Sequence, residues 1–369
     1  MLPLSAVLDH LEKLAPTRFA ADWDNVGLLL GERSARVSRL MTCLTVTPAT
    51  ADEAIARKAE LIVAHHPILF KGAKRLTGDT AEGRMLLALA RAGVAVYSPH
   101  TALDNATDGI NALLARKLGL EEVRPLRYPK YAGPKQVYQL VVFVPEADLS
   151  RVSEALFAAG AGKIGEYTEC SFRLAGTGTF RGSDKSNPTV GTKGKREEVG
   201  EYRLEMVCPE ARLADVLAAL RAAHSYEEPA FDLYALTVPP GVGEGRVGRL
   251  PKPTPLGKVA KGLRRALGCG PVQVVGDPER MAREIAIVCG AGGEMMGDAI
   301  RAGSDVFVTG EMRYHDYLAA AAAGLGLILP GHHATERCGV EDLAERLRAT
   351  CPDLDIWASV TEADPVSWV

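Results

Sequence analysis

The chain has 369 residues, of which 47% are hydrophobic and 24% are charged, and its formal net charge is −3. This length predicts two domains or slightly more, each able to bury its own core. Phosphate binding needs a concentrated positive face, so the slightly acidic balance makes nucleic acid an unfavoured partner.

The first segment, MLPLSAVLDHLEKLAP, has apolar residues at helical spacing with charged residues between them. This pattern predicts an amphipathic helix rather than a signal peptide. No apolar run approaches the roughly 20 residues that span a bilayer, so no membrane association is expected. The seven cysteines are scattered and never have C-x-x-C spacing, which disfavours a disulfide framework and a cysteine zinc site. We therefore expect a cytoplasmic protein.

Two separated regions have the alternating pattern of an α/β fold. In residues 40–120, short apolar runs alternate with helical segments. The apolar runs are RLMTCLTVT, LIVAHHPI and VAVYSPH. The same alternation returns after residue 255 in REIAIVCG, SDVFVTG and LGLILPG. It predicts βαβ units in a mostly parallel or mixed sheet with flanking helices. We predict one discontinuous α/β domain from residues 1–132 and 246–369.

The intervening residues 133–245 have a different pattern. Their apolar and helical segments follow the order β-α-β-β-α-β, with a long predicted loop over RGSDKSNPTVGTKGKREEVG. That order is typical of a ferredoxin-like fold. Pro/Gly-rich segments flank it on both sides, YPKYAGP before and PPGVGEGRVG after. We therefore predict an inserted ferredoxin-like α+β domain that interrupts the α/β domain.

Two adjacent histidines end the predicted strand LIVAHHPI. Consecutive strand residues point to opposite faces, yet where a strand gives way to a loop both His65 and His66 can converge on a crevice. Pro67 favours this arrangement, because proline ends ladder pairing. A histidine in such a place is also often a hydrogen-bonded core residue. The pair alone leaves both interpretations open.

Two further strand ends carry a histidine and a carboxylate. VAVYSPHTALDNA places His100 and Asp104 at the equivalent edge of the sheet if the strands run parallel, although Asp104 could equally cap a helix. LILPGHHATERCG places His332 after an apolar strand, with Glu336 on the same face of the next predicted helix. This i, i+4 spacing suits two ligands of one metal site. Glu336 could instead be a solvated surface residue.

Together the three strand ends predict a metal site at one edge of the sheet. Five of the eight histidines follow apparent strands, and a carboxylate accompanies two of the three groups. Imidazole and carboxylate ligands without thiolates suit Zn, Mn, Fe, Co or Ni. Three imidazoles and two carboxylates are more ligands than one four-coordinate ion needs. Two divalent ions about 3.5–4 Å apart, bridged by a carboxylate, would use all of them. The predicted metal ligands are His65, His66, Asp104, His332 and Glu336.

Five motifs, DNVGLLLG, AHHP, HTALDNA, TGEMRYHD and GHHATE, occur in this order outside the insert. Their combination resembles the Nif-three family, known as GTP cyclohydrolase 1 type 2 homologs. The resemblance implies a dinuclear metal centre with the five ligands above, and it selects His332 over His333. It also implies a toroidal homohexamer whose sites face an internal cavity. The insert is similar to the PII-like or CutA-like modules of longer bacterial members.

Metal-assisted hydrolysis is the expected reaction class, because two ions lower the pKa of bound water and polarise a substrate atom. The resemblance implies a small-molecule substrate such as a nucleotide, opened at a purine ring. The predicted proton-transfer groups are Glu311, at another strand end, His315 four residues later, and His100. The alternative is a non-catalytic ring protein that stores or delivers metal or has a regulatory role.

Overall fold

The computed structural model describes residues 1–70, 72, 74–128, 137–164, 167–236 and 241–367. The chain divides into two compact units. The first comprises Met1–Pro129 and Pro239–Val369, and the second is Lys130–Val238. The domain boundaries expected at residues 132/133 and 245/246 stay a prediction, and the first of them lies outside the described residues.

The first part of the discontinuous unit contains short buried strands and amphipathic helices. The predicted N-terminal helix forms because Leu4, Val7, Leu8 and Leu11 recur at helical spacing and are all buried. Its elements are β1 (Leu2–Pro3), α1 (Leu4–Leu14), β2 (Gly27–Leu30), β3 (Arg36–Val37), β4 (Arg39–Cys43), α2 (Pro48–Ala56), β5 (Leu61–Ala64), α3 (Ala81–Arg91), β6 (Ala95–Ser98), α4 (His100–Asn105), α5 (Ile110–Lys117) and β7 (Glu121–Arg124).

The second unit is an antiparallel sheet with two helices. Its elements are β8 (Val137–Pro145), α6 (Leu149–Ala158), β9 (Phe172–Arg181), β10 (Arg196–Pro209), α7 (Glu210–Ala223) and β11 (Phe231–Ala235). The sheet order is β11-β8-β10-β9, and apolar side chains of the sheet and both helices form a separate core. The loop predicted over RGSDKSNPTVGTKGKREEVG is shorter in the structure than in the prediction. The REEVG segment instead extends β10, because the hairpin ladder with β9 continues to the pair Arg196↔Arg181.

The discontinuous unit resumes after the second unit. Its remaining elements are β12 (Arg246–Pro255), α8 (Leu256–Leu267), β13 (Gln273–Val275), β14 (Met281–Val288), α9 (Met296–Arg301), β15 (Val306–Thr309), α10 (Tyr314–Ala322), β16 (Gly326–Leu329), α11 (His332–Thr350) and β17 (Asp355–Ala358). Among the helices in the described part of the chain, none is long and apolar enough to cross a membrane.

The strands of this unit belong to separate sheets. One sheet has the order β17-β4-β5-β6-β2, in which β17, β4, β5 and β6 run parallel. The other has the order β13-β16-β15-β14-β12-β7, in which β14, β15 and β16 run parallel. The expectation that all the ligands lie at one edge of one sheet is therefore wrong. Alternating strands and helices predict parallel pairing, but they do not specify which strands share a sheet.

Helix α11 connects the two sheets at the candidate site. It follows β16 of one sheet, with Pro330 and Gly331 between them, and packs on β4 and β17 of the other. Its buried face includes Val340, Leu343 and Leu347, and the Thr42 hydroxyl donates to the Val340 carbonyl at 3.1 Å. This packing brings the first turns of α11 to the carboxyl ends of β5 and β6.

Candidate metal centre

The two adjacent histidines continue the backbone pairing of the buried strand β5. The His65 and His66 amides donate to the carbonyls of Cys43 and Leu44 at 2.9 and 2.8 Å. The His65 side chain is 1% exposed and the His66 side chain is 26% exposed. The strand end therefore presents one imidazole to the interior and one to a cavity.

Glu336 lies between two imidazoles. Its Oε2 is 3.1 Å from His66 Nε2 and 3.0 Å from His332 Nε2. Burial opposes ionisation of this carboxyl, but the hydrogen bonds with His332 and His66 outweigh it and hold the pKa well below its usual range. The i, i+4 relation of His332 and Glu336 in α11 is the one that the sequence predicted. The surface position considered for Glu336 is excluded, because its side chain is 5% exposed.

The second oxygen of Glu336 faces the buried histidine. His65 Nε2 is 3.9 Å from Glu336 Oε1 and 3.7 Å from Asp104 Oδ1. Burial lowers the pKa of His65 to about 3, so its imidazole is neutral at ordinary pH. Neither of its ring nitrogens, both buried, has a hydrogen-bond partner among the described residues. An unsatisfied buried imidazole between two carboxylates fits a metal ligand, because its lone pair would otherwise lack a partner.

Asp104 approaches the same ring nitrogen of His65, Nε2, as Glu336 does. The Cys289 thiol donates to its Oδ1 at 3.2 Å, and the Asn111 amide donates to its backbone carbonyl at 3.1 Å. Burial, followed by the charge of Glu336, raises the pKa of Asp104 to about 7. Two carboxylates in one buried site repel each other, and a cation between them would relieve that repulsion.

Hydrogen bonds at Nδ1 orient the imidazole rings of His66 and His332. His66 Nδ1 is 2.8 Å from Thr45 Oγ1, and His332 Nδ1 is 2.9 Å from Glu311 Oε1. The hydrogen bond with Glu336 raises the pKa of His332, to about 9 in the absence of metal, and the hydrogen bond with Glu311 contributes to this rise. Imidazoles held at Nδ1, with Nε2 directed at the other candidate ligands, are typical of metal ligands with a supporting hydrogen-bond shell.

His100 joins the cluster from the start of α4. Its Nδ1 is 2.8 Å from Asp24 Oδ1, and its ring centroid is 5.1 Å from that of His65 and 5.5 Å from that of His66. Burial alone would lower the pKa of His100, but the hydrogen bond to Asp24 and the nearby charge of Asp104 raise it. Thr101 also donates to Asp24 through its amide at 3.1 Å.

Among the described residues, two groups of ligand atoms are compact enough to hold a metal ion, with all members of each group within 4.8 Å of one another. One group is His65, His66 and His100, and the other is His66, His332 and Glu336. His66 belongs to both. The structure thus brings four of the five predicted ligands into these groups, and it places the fifth, Asp104, beside His65.

The other predicted residues lie in different places. Glu311 lines a cavity and contacts the cluster through His332, with its own side chain 62% exposed. His315 lies exposed on α10, with its ring 5.9 Å from that of Tyr314. It is not among the described residues that line the cavities at the cluster, so the structure does not bring it to the site. His333 lines a cavity, and His332 contacts Glu336.

Sequence reasoning missed several supporting residues. Thr45 follows β4 by two residues, and Cys289 follows β14 directly. The only sequence feature that could have identified Thr45 and Cys289 is their position just after a buried strand. The Asp24 carboxylate accepts hydrogen bonds from His100 and Thr101. No local pattern indicates that partner, because the two segments are about 76 residues apart.

Two cavities meet at the cluster. The Tyr317 cavity, of about 750 Å³, is lined by residues that include Thr45, Glu311 and Tyr317. The Trp23 cavity, of about 450 Å³, is lined by residues that include Trp23 and His100. His66 and His332 line both. Cavities of this size accept small organic molecules.

The fold and the site together define a mixed α/β protein whose His and Glu groups could hold a metal ion. The sequence profile of the family described as Duf34/NIF3 (NGG1p interacting factor 3) matches residues 2–365. The chain belongs to this family, which confirms the resemblance found in the motifs.

Named relatives and solved structures agree with this assignment. A Halalkalibacterium halodurans protein named GTP cyclohydrolase 1 type 2 homolog is 37% identical over 367 residues, 98% of each chain. A Mycobacterium tuberculosis protein of the same name is 37% identical over 350 residues, 94% of this chain and 91% of that one. The crystal structure of a Bacillus cereus protein related to NIF3 covers all of both chains with a TM-score of 0.68 and 33% identity.

Proposed function

We propose that this protein is a metal-dependent hydrolase with a dinuclear centre, acting on a small molecule of the type that the name of its relatives suggests. One observation carries the proposal. The two oxygens of Glu336 face different sets of candidate ligands. His66 and His332 lie at Oε2. His65 lies at Oε1, and Asp104 lies beside His65. A carboxylate with ligands on both oxygens is suited to bridge two ions.

The supporting residues have distinct roles in this proposal. Two divalent ions, drawn from Zn, Mn, Fe, Co or Ni, would supply Lewis acidity and lower the pKa of water at the site. Glu311 accepts the Nδ1 proton of His332 and fixes that tautomer. His100, anchored through Nδ1 on Asp24, keeps Nε2 available to donate a proton to the substrate, since its pKa is raised. The geometry offers no comparable role for the exposed His315.

The test combines metal analysis with turnover. The full chain is purified with Mn, Fe, Co or Zn and screened with purine nucleotides and phosphodiesters, alongside His66→Ala and, as a control, His315→Ala. We expect two ions per chain in the wild type, fewer in His66→Ala, and unchanged metal content in His315→Ala. If every metal-loaded form binds its ions tightly but turns over nothing, the hydrolase proposal falls and metal storage or delivery replaces it.

The proposal extends to the whole assembly. Residues 133–245 are proposed to form a ferredoxin-like, PII/CutA-like insert, which the element order β-α-β-β-α-β and the strand order β11-β8-β10-β9 support. The proposed assembly is a cytoplasmic homohexamer with its sites facing an internal cavity. Light scattering of the purified chain tests this, and a monomer or dimer at micromolar concentration would contradict it.

A further inference from the structure

Two large aromatic side chains are exposed at the Trp23 cavity. Trp23 is 61% exposed and Phe70 is 51% exposed, and both line the cavity beside the candidate metal ligands. Their rings lie edge to face with centroids 5.8 Å apart. Exposed aromatic pairs of this kind are unfavourable in water and are typical of binding surfaces.

The backbone that carries these rings is held by hydrogen bonds. The Asn25 side-chain amide donates to the Leu69 carbonyl at 2.6 Å, which joins the segment after Trp23 to the segment before Phe70. The Asn25 backbone amide donates to Asp24 Oδ1 at 2.8 Å, and the same carboxylate holds His100. The backbone that carries the rings is therefore held in place before any ligand arrives, which lowers the entropic cost of binding.

The aromatic pair adjoins the histidine cluster. The His100 ring lies 6.0 Å from the Trp23 ring and 6.4 Å from the Phe70 ring, and it is 5.5 Å from the His66 ring. A planar molecule resting on Trp23 or Phe70 would thus have its other end within reach of the candidate metal ligands. The cavity volume of about 450 Å³ suits a bicyclic ring with a sugar.

The charge of the cavities restricts the ligand further. Among the described residues that line the Trp23 and Tyr317 cavities, none is Lys or Arg. The Trp23 cavity instead contains the carboxylates Asp104, Glu244, Glu294 and Glu336. Phosphate chains are usually bound by Arg, Lys or clustered backbone N–H groups, and carboxylates repel them. Asp104 and Glu336 are candidate metal ligands, and Glu244 pairs with Arg127 at 3.1 Å. Apart from the metal ions, the described lining therefore offers a phosphate chain no Lys or Arg partner, and Glu294 adds negative charge, which together favour an uncharged heterocycle.

We propose that Trp23 and Phe70 form a stacking platform for the planar ring of the substrate, and that this substrate is a nucleoside-type heterocycle without a phosphate chain. The inference rests on the proposed function, because it places the ring next to the same candidate metal centre. It departs from the substrate in the relatives' printed name by removing the triphosphate. Stacking tolerates different ring systems, so the platform selects a class of ligand rather than one compound.

Equilibrium binding tests the platform without requiring turnover. The zinc-loaded full chain is titrated with guanosine and with GTP by calorimetry, and metal content is measured in every variant. We expect Trp23→Leu and Phe70→Leu each to weaken guanosine binding about tenfold, in line with the loss of one stacked ring. Trp23→Phe keeps an aromatic face and is expected to stay within about threefold. Phe172→Leu, at an exposed aromatic residue of the other unit, is the matched control.

The outcomes separate this inference from the proposed function. Guanosine binding tighter than GTP binding, weakened in Trp23→Leu with metal content unchanged, supports the platform even if no turnover is found. The platform is overturned if the wild type does not bind guanosine, if GTP binds more tightly than guanosine, or if Trp23→Leu and Phe70→Leu bind guanosine like the wild type. Wild-type turnover by Trp23→Leu would retain the hydrolase and reject the platform.

Discussion

Gly290 packs directly against the Glu336 carboxylate, and adding one methyl group there tests the site geometry. A Cβ at Gly290 would lie 2.2 Å from Glu336 Oε1 and 3.1 Å from His332 Nε2. Gly290 cannot easily move away, because its amide donates to Thr335 Oγ1 at 3.0 Å and its carbonyl accepts from the Gly310 amide at 2.7 Å. Glu336 must therefore shift in Gly290→Ala.

The size of the shift sets the expected effect. Glu336 Oε1 must retreat by about 1 Å to reach ordinary van der Waals separation from the new methyl group. Metal–ligand distances tolerate deviations of only about 0.2 Å. We therefore expect metal affinity to fall by at least about 10- to 100-fold, the loss that displaced supporting groups cause. The positive φ of +61° adds about 1–2 kcal/mol of backbone strain to the free energy of folding.

The chain offers a matched control for that strain. Gly268, at the carboxyl end of α8, has a φ of +62°, and a Cβ there would meet no atom within 4 Å. Gly268→Ala should lose similar stability in thermal unfolding with chelator present and keep wild-type affinity for Zn or Co by calorimetry. Wild-type metal affinity in Gly290→Ala would refute the assigned position of Glu336. Equal loss of metal in both variants would attribute the effect to backbone strain.

Three further predictions concern residues around the site and in the core. Thr45→Val removes the 2.8 Å hydrogen bond to His66 Nδ1 and should weaken metal binding about tenfold, with Thr45→Ser restoring it. Glu53 is buried, but hydrogen bonds from residues 359–361 outweigh burial and lower its pKa from 4.5 to about 2. The resulting stabilisation of the folded state, about 3 kcal/mol, is present above pH 4.5 and is lost as pH falls towards 2. The melting temperatures of the wild type and Glu53→Gln should therefore converge near pH 2. A difference between them that does not change with pH would contradict this. Arg246 is 2% exposed and donates to the backbone carbonyls of Gly243, Gly245, Ala106, Thr107 and Gly241. Arg246→Met leaves these acceptors without their donor and should lower unfolding free energy by about 3 kcal/mol in denaturant titrations, whereas a loss below about 1 kcal/mol would mean that water replaces the side chain.

The sequence determined the local structure around the site. Buried runs such as LIVA in β5 predict a central parallel strand, because both faces of such a strand are covered. The spacing of His332 and Glu336 placed both on one face of a helix, and α11 has them there. These features depend on backbone periodicity and on neighbours within a few residues, which the sequence records directly.

Only the tertiary structure decided how these pieces meet. The strands that precede His65 and His332 belong to different sheets. Helix α11 follows β16 of one sheet and packs on β4 and β17 of the other, which brings the two histidines to one carboxylate. The Asp24 carboxylate reaches His100 from a distant turn, and Trp23 and Phe70 meet beside it. Such contacts arise from the pairing of strands and the burial of apolar faces between distant segments. Periodicity predicts which residues need burial, and long-range packing decides which polar groups end up side by side.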